Sequence, residues 1–359
     1  MNSIFAKKIE DWYLENKRDL PWRETKDPYQ IWVSEIILQQ TRVAQGMDYF
    51  YRFIHRFPDV ASLAAADEDE VLRLWQGLGY YSRARNMHKA ARQVMENGGN
   101  FPDVFEEVRS LAGIGGYTAS AIMSFAYNQP YAVLDGNVYR ILARTQGVST
   151  PIDSTSGKKI FTQLAQELLD RHNPSLYNSA IMDFGALQCT PKGCDCPACP
   201  LCLDCVARQE NRVDELPVKG HKTAVKTRHL IYINVREEVG ERMLLHRREK
   251  GDIWEGLYEL PLVEVTDDCG QVDLSSLPWI KAMMASGATL TCMAKEVKHQ
   301  LTHQKLLTDY YELRVPFDLQ KWQSMKARDY HTEQYIVAPV SNLDNYGMPK
   351  LILQLLAIT

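Results

Sequence analysis

Residues 111–118 read LAGIGGYT and run directly into the apolar segment ASAIMSFAY at 119–127. Three glycines in four positions, Gly113, Gly115 and Gly116, permit a tight turn between two helices and let a phosphate approach the backbone closely. A second helix beginning at Ala119 would then aim free amide N–H groups and the positive end of its dipole at that phosphate. Ile114 would plug the turn into the core, and Thr118 would sit beside the bound strand. This is the logic of a helix-hairpin-helix, a grip on a DNA backbone that ignores base sequence. An ordinary glycine-rich helix–helix turn has the same pattern, and the motif alone does not separate the two.

Outward from the hairpin, residues 1–187 read as helical. IWVSEIILQQT (31–41) and TASAIMSFAY (118–127) carry apolar residues at helical spacing. Proline and glycine punctuate between such segments, as in ENGGNFPDV at 96–104. A cysteine-rich run follows at 188–206, then a polar, proline-interrupted stretch at 207–227 that reads as a linker. From 228 the pattern changes. HLIYINV (229–235), MLLHRR (243–248), DYYELRV (309–315) and QYIVAPV (334–340) are β-branched or aromatic runs that read as strands, and MPKLILQLLAI reads as a closing helix.

With 359 residues, 45% apolar and 24% charged, the chain suits two soluble globular domains. No apolar run approaches the roughly 20 residues of a membrane span, and MNSIFAKKIEDWYLEN lacks the apolar centre of a signal peptide. The expectation is a cytoplasmic, nucleoid-associated monomer without a membrane partner. The net charge of −4 neither supports nor excludes DNA, because phosphate binding needs only a local basic or amide-rich face.

Two carboxylates stand in apolar company. Glu35 lies within IWVSEIILQQT and Asp135 within YAVLDGNVYRIL. Apolar surroundings resist ionisation and raise a carboxyl pKa, which suits a general acid. A second carboxylate that stays ionised would stabilise a cationic sugar, and such pairs break glycosidic bonds. Asp135 before Gly136 equally reads as a helix cap, and Glu35 as one residue of an amphipathic surface. Spacing does not bring together two residues a hundred positions apart.

Of the eight cysteines, six fall between Cys189 and Cys205 in CTPKGCDCPACPLCLDC. In a reducing compartment this crowding reads as a metal site rather than a disulfide knot. Cys189, Cys196, Cys199 and Cys205 form C-x6-C-x2-C-x5-C, and four thiolates suit zinc or a 4Fe–4S cluster alike. Cys194 and Cys202 are also available, and the spacing does not choose between ligand sets.

PWR (21–23), SEIILQQT (34–41), GLGYYSRARN (77–86), LAGIGGYTASAI (111–122), LDGNVYRILAR (134–144) and the cysteine spacing occur in the order found in one family. In these motifs the chain resembles the MutY-type adenine DNA glycosylases of the helix-hairpin-helix superfamily over nearly its whole length. The resemblance implies a multidomain protein. An all-α helix-hairpin-helix glycosylase domain (1–187) precedes an iron–sulfur cluster loop (188–206), a linker (207–227) and a smaller α/β Nudix-like domain (228–359). It implies release of adenine paired with 8-oxoguanine or guanine in duplex DNA, leaving an abasic site, and one 4Fe–4S cluster held by Cys189, Cys196, Cys199 and Cys205.

Residue by residue, Glu35 matches the acid that protonates adenine, and Asp135 the carboxylate that stabilises the sugar cation. Tyr117 and Asn137 match residues that support Asp135 and the reacting centre. Gln39 and Gln40 match a pair that probes the mismatch, and Arg23, in the PWR motif, is expected among the DNA contacts. Tyr80 and Tyr81 match the aromatic pair from which a wedge enters the base stack, with Tyr81 favoured. Tyr117 stands where the bifunctional relatives resembling endonuclease III carry a nucleophilic lysine, so the expectation is a monofunctional enzyme, the alternative being a glycosylase/lyase of that kind.

GDIWEGLYELP (251–261) and VKHQLTHQK (297–305) resemble the family's Nudix-like domain, although no Nudix hydrolase box is present. Where that family reads 8-oxoguanine with Phe-Ser-His, this chain has Leu301, Thr302 and His303, keeping the hydroxyl and imidazole but not the aromatic ring. A non-catalytic mismatch binder is the reading from another class, and intact Glu35 and Asp135 argue against it.

Overall fold

The helix Pro28–Leu38 starts where its sequence says it should: Pro28 occupies the first turn, and the Asp27 carboxylate accepts the Tyr29 backbone N–H at 2.9 Å. Eight of its residues, Tyr29 and Ile31 through Ile37, are buried, so it lies inside the molecule rather than on its surface. Against it packs the helix Gly116–Tyr127, also buried along most of its length, whose Ala119 and Ala121 permit a close approach. That helix ends at Asn128 in the left-handed conformation, φ 51°.

These helices come from a computed structural model that describes residues 2–220, 224–265 and 272–358. The chain divides into two compact units, one of Met1–Ala65 and Asn86–Lys222, the other of Ala66–Arg85 and Thr223–Thr359. No described helix is long and apolar enough to cross a membrane.

The first unit is helical. The helix Pro174–Leu187 packs on Asn2–Asn16, Gly116–Tyr127 and Gly136–Gln146. Its fully buried Asn178 donates to Ser124 Oγ and Tyr131 O, both at 2.8 Å, and accepts the Val133 N–H at 3.1 Å. One satisfied amide thereby holds the loop that delivers Asp135. The stretch read as a free linker docks for most of its length: Leu216 is buried, Ile152 N donates to Val218 O at 3.0 Å, and Gly220 N donates to Asp153 at 2.8 Å. A polar composition concealed that docking, and the expected residues 221–223 of the linker lie outside those described.

The second unit is built on a seven-stranded mixed sheet. Its strands are β1 (Lys226–Glu237), β2 (Arg242–Arg247), β3 (Tyr258–Glu259), β4 (Leu262–Val265), β5 (Thr289–Gln300), β6 (Gln304–Val315) and β7 (Tyr335–Pro339). The path runs β3-β2-β1-β6-β5, with β4 on β1 and β7 on β2; β1 and β6 are parallel, and the other pairs antiparallel. Leu230 and Tyr232 of β1 enter one core and Ile231, Ile233 and Val235 the other, so burial on both faces explains its unbroken apolar run. The runs read as strands fall within β1, β2, β6 and β7 or overrun them by one residue, and the closing helix is Lys350–Leu356. The strand β5 escapes sequence reading because it ends the sheet path, carries charges, and slips register between Cys292 and Val297.

Residues 66–85 belong to this second unit, which corrects the expectation of an unbroken helical domain over 1–187. Asp69 accepts from Arg247 at 2.7 Å and from Tyr258 Oη at 3.1 Å, and Gln76 Oε1 accepts the Met348 N–H at 3.1 Å. Contacts between segments so far apart leave no local pattern.

Two arginines lie in this unit's interior. Arg248 donates to Glu259 at 2.9 and 2.7 Å, with 7% and 1% of their side chains exposed. Removing one partner strands a buried charge. Arg248→Met should therefore cost about 3–5 kcal/mol, read as a lowered midpoint in the unfolding transition of the sheet; a midpoint within error of wild type would show that the pair is not held together in solution.

Candidate active site

The helix Gly136–Gln146 begins with Asp135 as its N-cap, whose carboxylate accepts the Val138 N–H at 2.8 Å and Asn137 Nδ2 at 2.9 Å. The cap reading of Asp135 is thus correct, and it does not exclude the other one. Asp135, Asn137, Glu35 and Tyr117 line one cavity of about 390 Å³ in the first unit, so the structure brings both carboxyls together. Capping sets the orientation of Asp135, and the buried Pro28–Leu38 helix sets that of Glu35.

Their surroundings differ. Glu35 is 4% exposed, and burial drives its pKa above the ordinary 4.5; the Arg23 charge and the Tyr117 hydroxyl, which donates to Oε2 at 2.8 Å, oppose the rise, and Asp135 adds to it. Burial also raises Asp135, against the Val138 N–H, the Asn137 amide and N–H, and the charge of Arg140. Asp135 therefore has several donors that favour its ionised form and stands at a helix N-terminus. Among the described residues, the Tyr117 hydroxyl is the donor that meets the Glu35 carboxyl. Tyr117 itself is held well above 10 by burial and by the two carboxyls, so it acts as a neutral donor. Of the two residues expected to support Asp135 and the reacting centre, Tyr117 bonds Glu35 and Asn137 bonds Asp135.

Several other expected contacts prove to be internal. Arg23 does not point outward to a phosphate: its guanidinium donates to Ser179 Oγ at 2.8 Å and lies 4.2 Å from the centre of the Phe125 ring. Thr118 is 2% exposed and accepts from Gln39 Nε2 at 3.2 Å, so its side chain faces inward. Gln39 and Gln40 line the cavity, Gln40 with φ 59°. Trp22 of the PWR motif lines it too, as do Arg18 and Met182, to which no sequence motif pointed.

In the hairpin, Gly113 has φ 75° and a Cβ there would lie 2.6 Å from that of Asn86, so the turn requires glycine. Gly115 caps the following helix, which starts at Gly116 rather than Ala119, and both glycines are exposed with open space where a side chain would stand. Ile114 is buried as expected. A backbone phosphate has unobstructed access to this helix end.

In the second unit, Tyr80 is 46% exposed and its hydroxyl bonds that of Thr302. Tyr81 is 5% exposed and accepts the Gly77 N–H at 3.2 Å. Of the pair, Tyr81 is thus buried and Tyr80 presents the exposed ring. Both tyrosines, with Thr302 and His303, line a second cavity of about 410 Å³.

The six clustered cysteines are unpaired, half-buried and gathered around one pocket. Among the described residues no three His, Cys, Asp or Glu side chains converge tightly enough for a single metal ion. One zinc needs sulfurs about 2.3 Å from a common centre, whereas thiols spread around a pocket match a larger cluster in donor chemistry. Arg144 Nη1 lies 3.4 Å from Cys189 Sγ and 3.7 Å from Cys194 Sγ; burial raises the Cys189 thiol above its ordinary pKa, and the Arg144 and Arg140 charges oppose that rise. Arg140 ties this loop to the cavity, donating to Cys189 O at 2.8 Å and to Asn137 Oδ1 at 2.9 Å.

A raised carboxyl pKa means that the folded state holds more protons than the unfolded chain between the two values. Stability contributed by Glu35 is therefore full below about pH 4.5 and is lost as pH rises towards its folded pKa. Glu35→Gln cannot titrate, so its melting temperature should fall less than that of wild type between about pH 5 and about pH 8. Parallel melting curves at every pH would mean that Glu35 titrates in the fold as it does in water.

Residues 33–169 match the HhH-GPD superfamily of base excision DNA repair proteins, and residues 232–357 match a NUDIX domain. The chain is 34% identical to the adenine DNA glycosylase of Buchnera aphidicola subsp. Acyrthosiphon pisum (strain APS) over 316 residues, 88% of this chain and 87% of that protein. It is 40% identical over 228 residues to the adenine DNA glycosylase of Homo sapiens, covering 61% of this chain and 42% of the human one. Among solved structures, a thermostable thymine-DNA glycosylase superposes with a TM-score of 0.55 at 26% identity, over 58% of this chain and 97% of that one. A carboxyl pair in one cavity, an open hairpin and a relative matched over 88% of this chain agree: the chain belongs to the adenine DNA glycosylases, base excision repair enzymes that break the N-glycosidic bond of adenine in DNA.

Proposed function

We propose that the enzyme removes adenine paired with 8-oxoguanine, or with guanine, in duplex DNA and leaves an intact strand with an abasic site. The observation that carries this reading is the pair Glu35 and Asp135 in one cavity, Glu35 buried and Asp135 half-buried, and the two solvated differently by the protein. The adenine leaves the base stack for that cavity, because its glycosidic bond is shielded inside the duplex. Protonated Glu35, held by Tyr117, gives its proton to the adenine ring, so the base leaves as a neutral molecule and the electron pair of the C–N bond goes with it. Asp135, held by Asn137 and the Val138 N–H, offsets the positive charge that grows on the sugar. The Glu35 carboxylate then takes a proton from water as the water oxygen bonds to the sugar carbon, which restores the acid.

Arg18 and Arg23 are the cations that line this cavity among the described residues, and no lysine does. An amine able to trap the sugar covalently is thus missing where a lyase would need it, which supports a monofunctional enzyme. The glycines of the hairpin hold the backbone, Tyr80 wedges the stack, and Thr302 with His303 reads the base opposite the adenine. Cys189, Cys196, Cys199 and Cys205 would hold one 4Fe–4S cluster, leaving Cys194 and Cys202 as bystanders. When bound, the cluster cross-links the loop that Arg140 and Arg144 attach to the helix of Asp135.

Single-turnover reaction with a duplex holding adenine opposite 8-oxoguanine should give strand breaks only after alkali, and Glu35→Gln should slow base release by at least about a hundredfold. Breaks without alkali would make the enzyme a lyase as well, and full activity of Glu35→Gln would remove the acid from this scheme. Anaerobically purified Cys199→Ala should lose its iron and its visible absorption, whereas Cys194→Ala and Cys202→Ala should keep both; loss of iron from either bystander variant would reassign the ligands.

A further inference from the structure

The 410 Å³ cavity of the second unit is lined by residues 79–82 and 85 and by 252–254 and 300–304. Besides Tyr80 and Tyr81, Trp254 brings a third large ring to it, and it shares an unusual feature with Tyr80. Tyr80 has φ 49° and Trp254 φ 61°, the left-handed region that bulky side chains avoid. Backbone strain of this kind persists only where the surroundings over-determine it, and it gathers at ligand clamps.

The surroundings of Trp254 do over-determine it. Both carboxylate oxygens of neighbouring Asp252 accept from Arg228, at 2.7 Å each, and Oδ2 also accepts from Arg248. Arg228 is in turn gripped by Glu264 at 2.7 Å, and Arg248 by Glu259 at 2.7 Å. Arg248 Nε donates to the Ile253 carbonyl at 2.7 Å, and the Leu257 N–H closes a turn on the Trp254 carbonyl at 3.0 Å. The indole meets His299 edge-on with ring centres 5.9 Å apart. A large flat ring is therefore fixed in advance at the wall of a cavity that Tyr80 also lines. Leu301 offers apolar contact there but no π-face.

We propose that Trp254 stacks on, or packs edgewise against, the purine opposite the target adenine, and that Asp252 with Arg228 and Arg248 is its positioning device. This rests on the reading that the cavity of Thr302 and His303 receives that purine. Stacking is indifferent to the hydrogen-bonding edge of a base, so Trp254 supplies affinity for a purine at this position while Thr302 and His303 address its edge. Preorganisation is the reason for the clamp: a ring already immobilised loses no rotamer freedom when the base arrives.

The test measures binding of the full-length, cluster-loaded protein to duplexes carrying a non-cleavable adenine analogue opposite 8-oxoguanine, guanine or an abasic site. Trp254→Leu keeps apolar volume and removes the ring. It should weaken binding to both purine duplexes by about ten- to a hundredfold and leave the abasic duplex unchanged, which at once reports that the variant is folded. Trp254→Phe should recover most of the loss, and Asp252→Asn should reduce the same purine-to-abasic ratio part of the way. Unchanged purine binding by Trp254→Leu, or equal loss on all three duplexes, would overturn the proposal by making the ring idle or merely structural. If wild type itself binds the abasic duplex as tightly as the 8-oxoguanine one, the cavity does not receive that base, and both the reading and this proposal fall together.

Discussion

A carboxyl group enclosed by apolar helix cannot be ordinary. Glu35 lies between Ser34 and Ile36 in a helix buried along eight residues, and at 4% exposed it meets too little water to solvate a charge fully. Either it keeps its proton or the protein must supply the missing solvent, and the first unit does a little of both. Burial holds the proton on, while the Tyr117 hydroxyl and the Arg23 charge hold the carboxylate within reach. Arg23 performs this service because it is turned inward over Phe125 and lines the same cavity.

The rest of the first unit can be understood as support for that arrangement. Asp135 must face Glu35 across the cavity, and its position follows from an N-cap, from the Asn137 amide, and from the loop that Asn178 fixes by three hydrogen bonds. The same helix sends Arg140 and Arg144 into the cysteine loop, so the helix that orients the carboxylate also anchors the thiols. Cysteine loop and reacting centre are thus mechanically continuous through Arg140 and Asn137.

The second unit solves a different problem, rigid presentation of a shallow cavity. Its sheet is buried on both faces, and its buried arginines are paired with Glu259, Glu264 and Asp252. Such pairs add little net stability compared with apolar packing, but they fix the loop 251–257, where an aromatic ring stands in a conformation it would not choose. The segment 66–85 completes the cavity wall with Tyr80, and that explains why the chain leaves the first unit and returns to it.

Much of this was legible locally. Helix against strand, the hairpin turn, the apolar setting of both carboxyls and the crowding of thiols are short-range patterns, because amphipathic period, turn chemistry and charge next to apolar groups act over a few residues. Which of the paired alternatives held was decided at longer range. Asp135 is a cap and a cavity residue together; Tyr80 rather than Tyr81 is exposed; Thr118 and Arg23 face inward; residues 66–85 group with the second unit; the polar stretch before 221 docks. Each outcome depends on what stands opposite the side chain in space, and partners such as Ser179 for Arg23 or Thr302 for Tyr80 lie more than a hundred residues away. The sequence by itself determined which chemistry was present and in what local conformation; only the tertiary structure decided which groups meet, because desolvation and hydrogen bonding depend on neighbours that chain order does not specify.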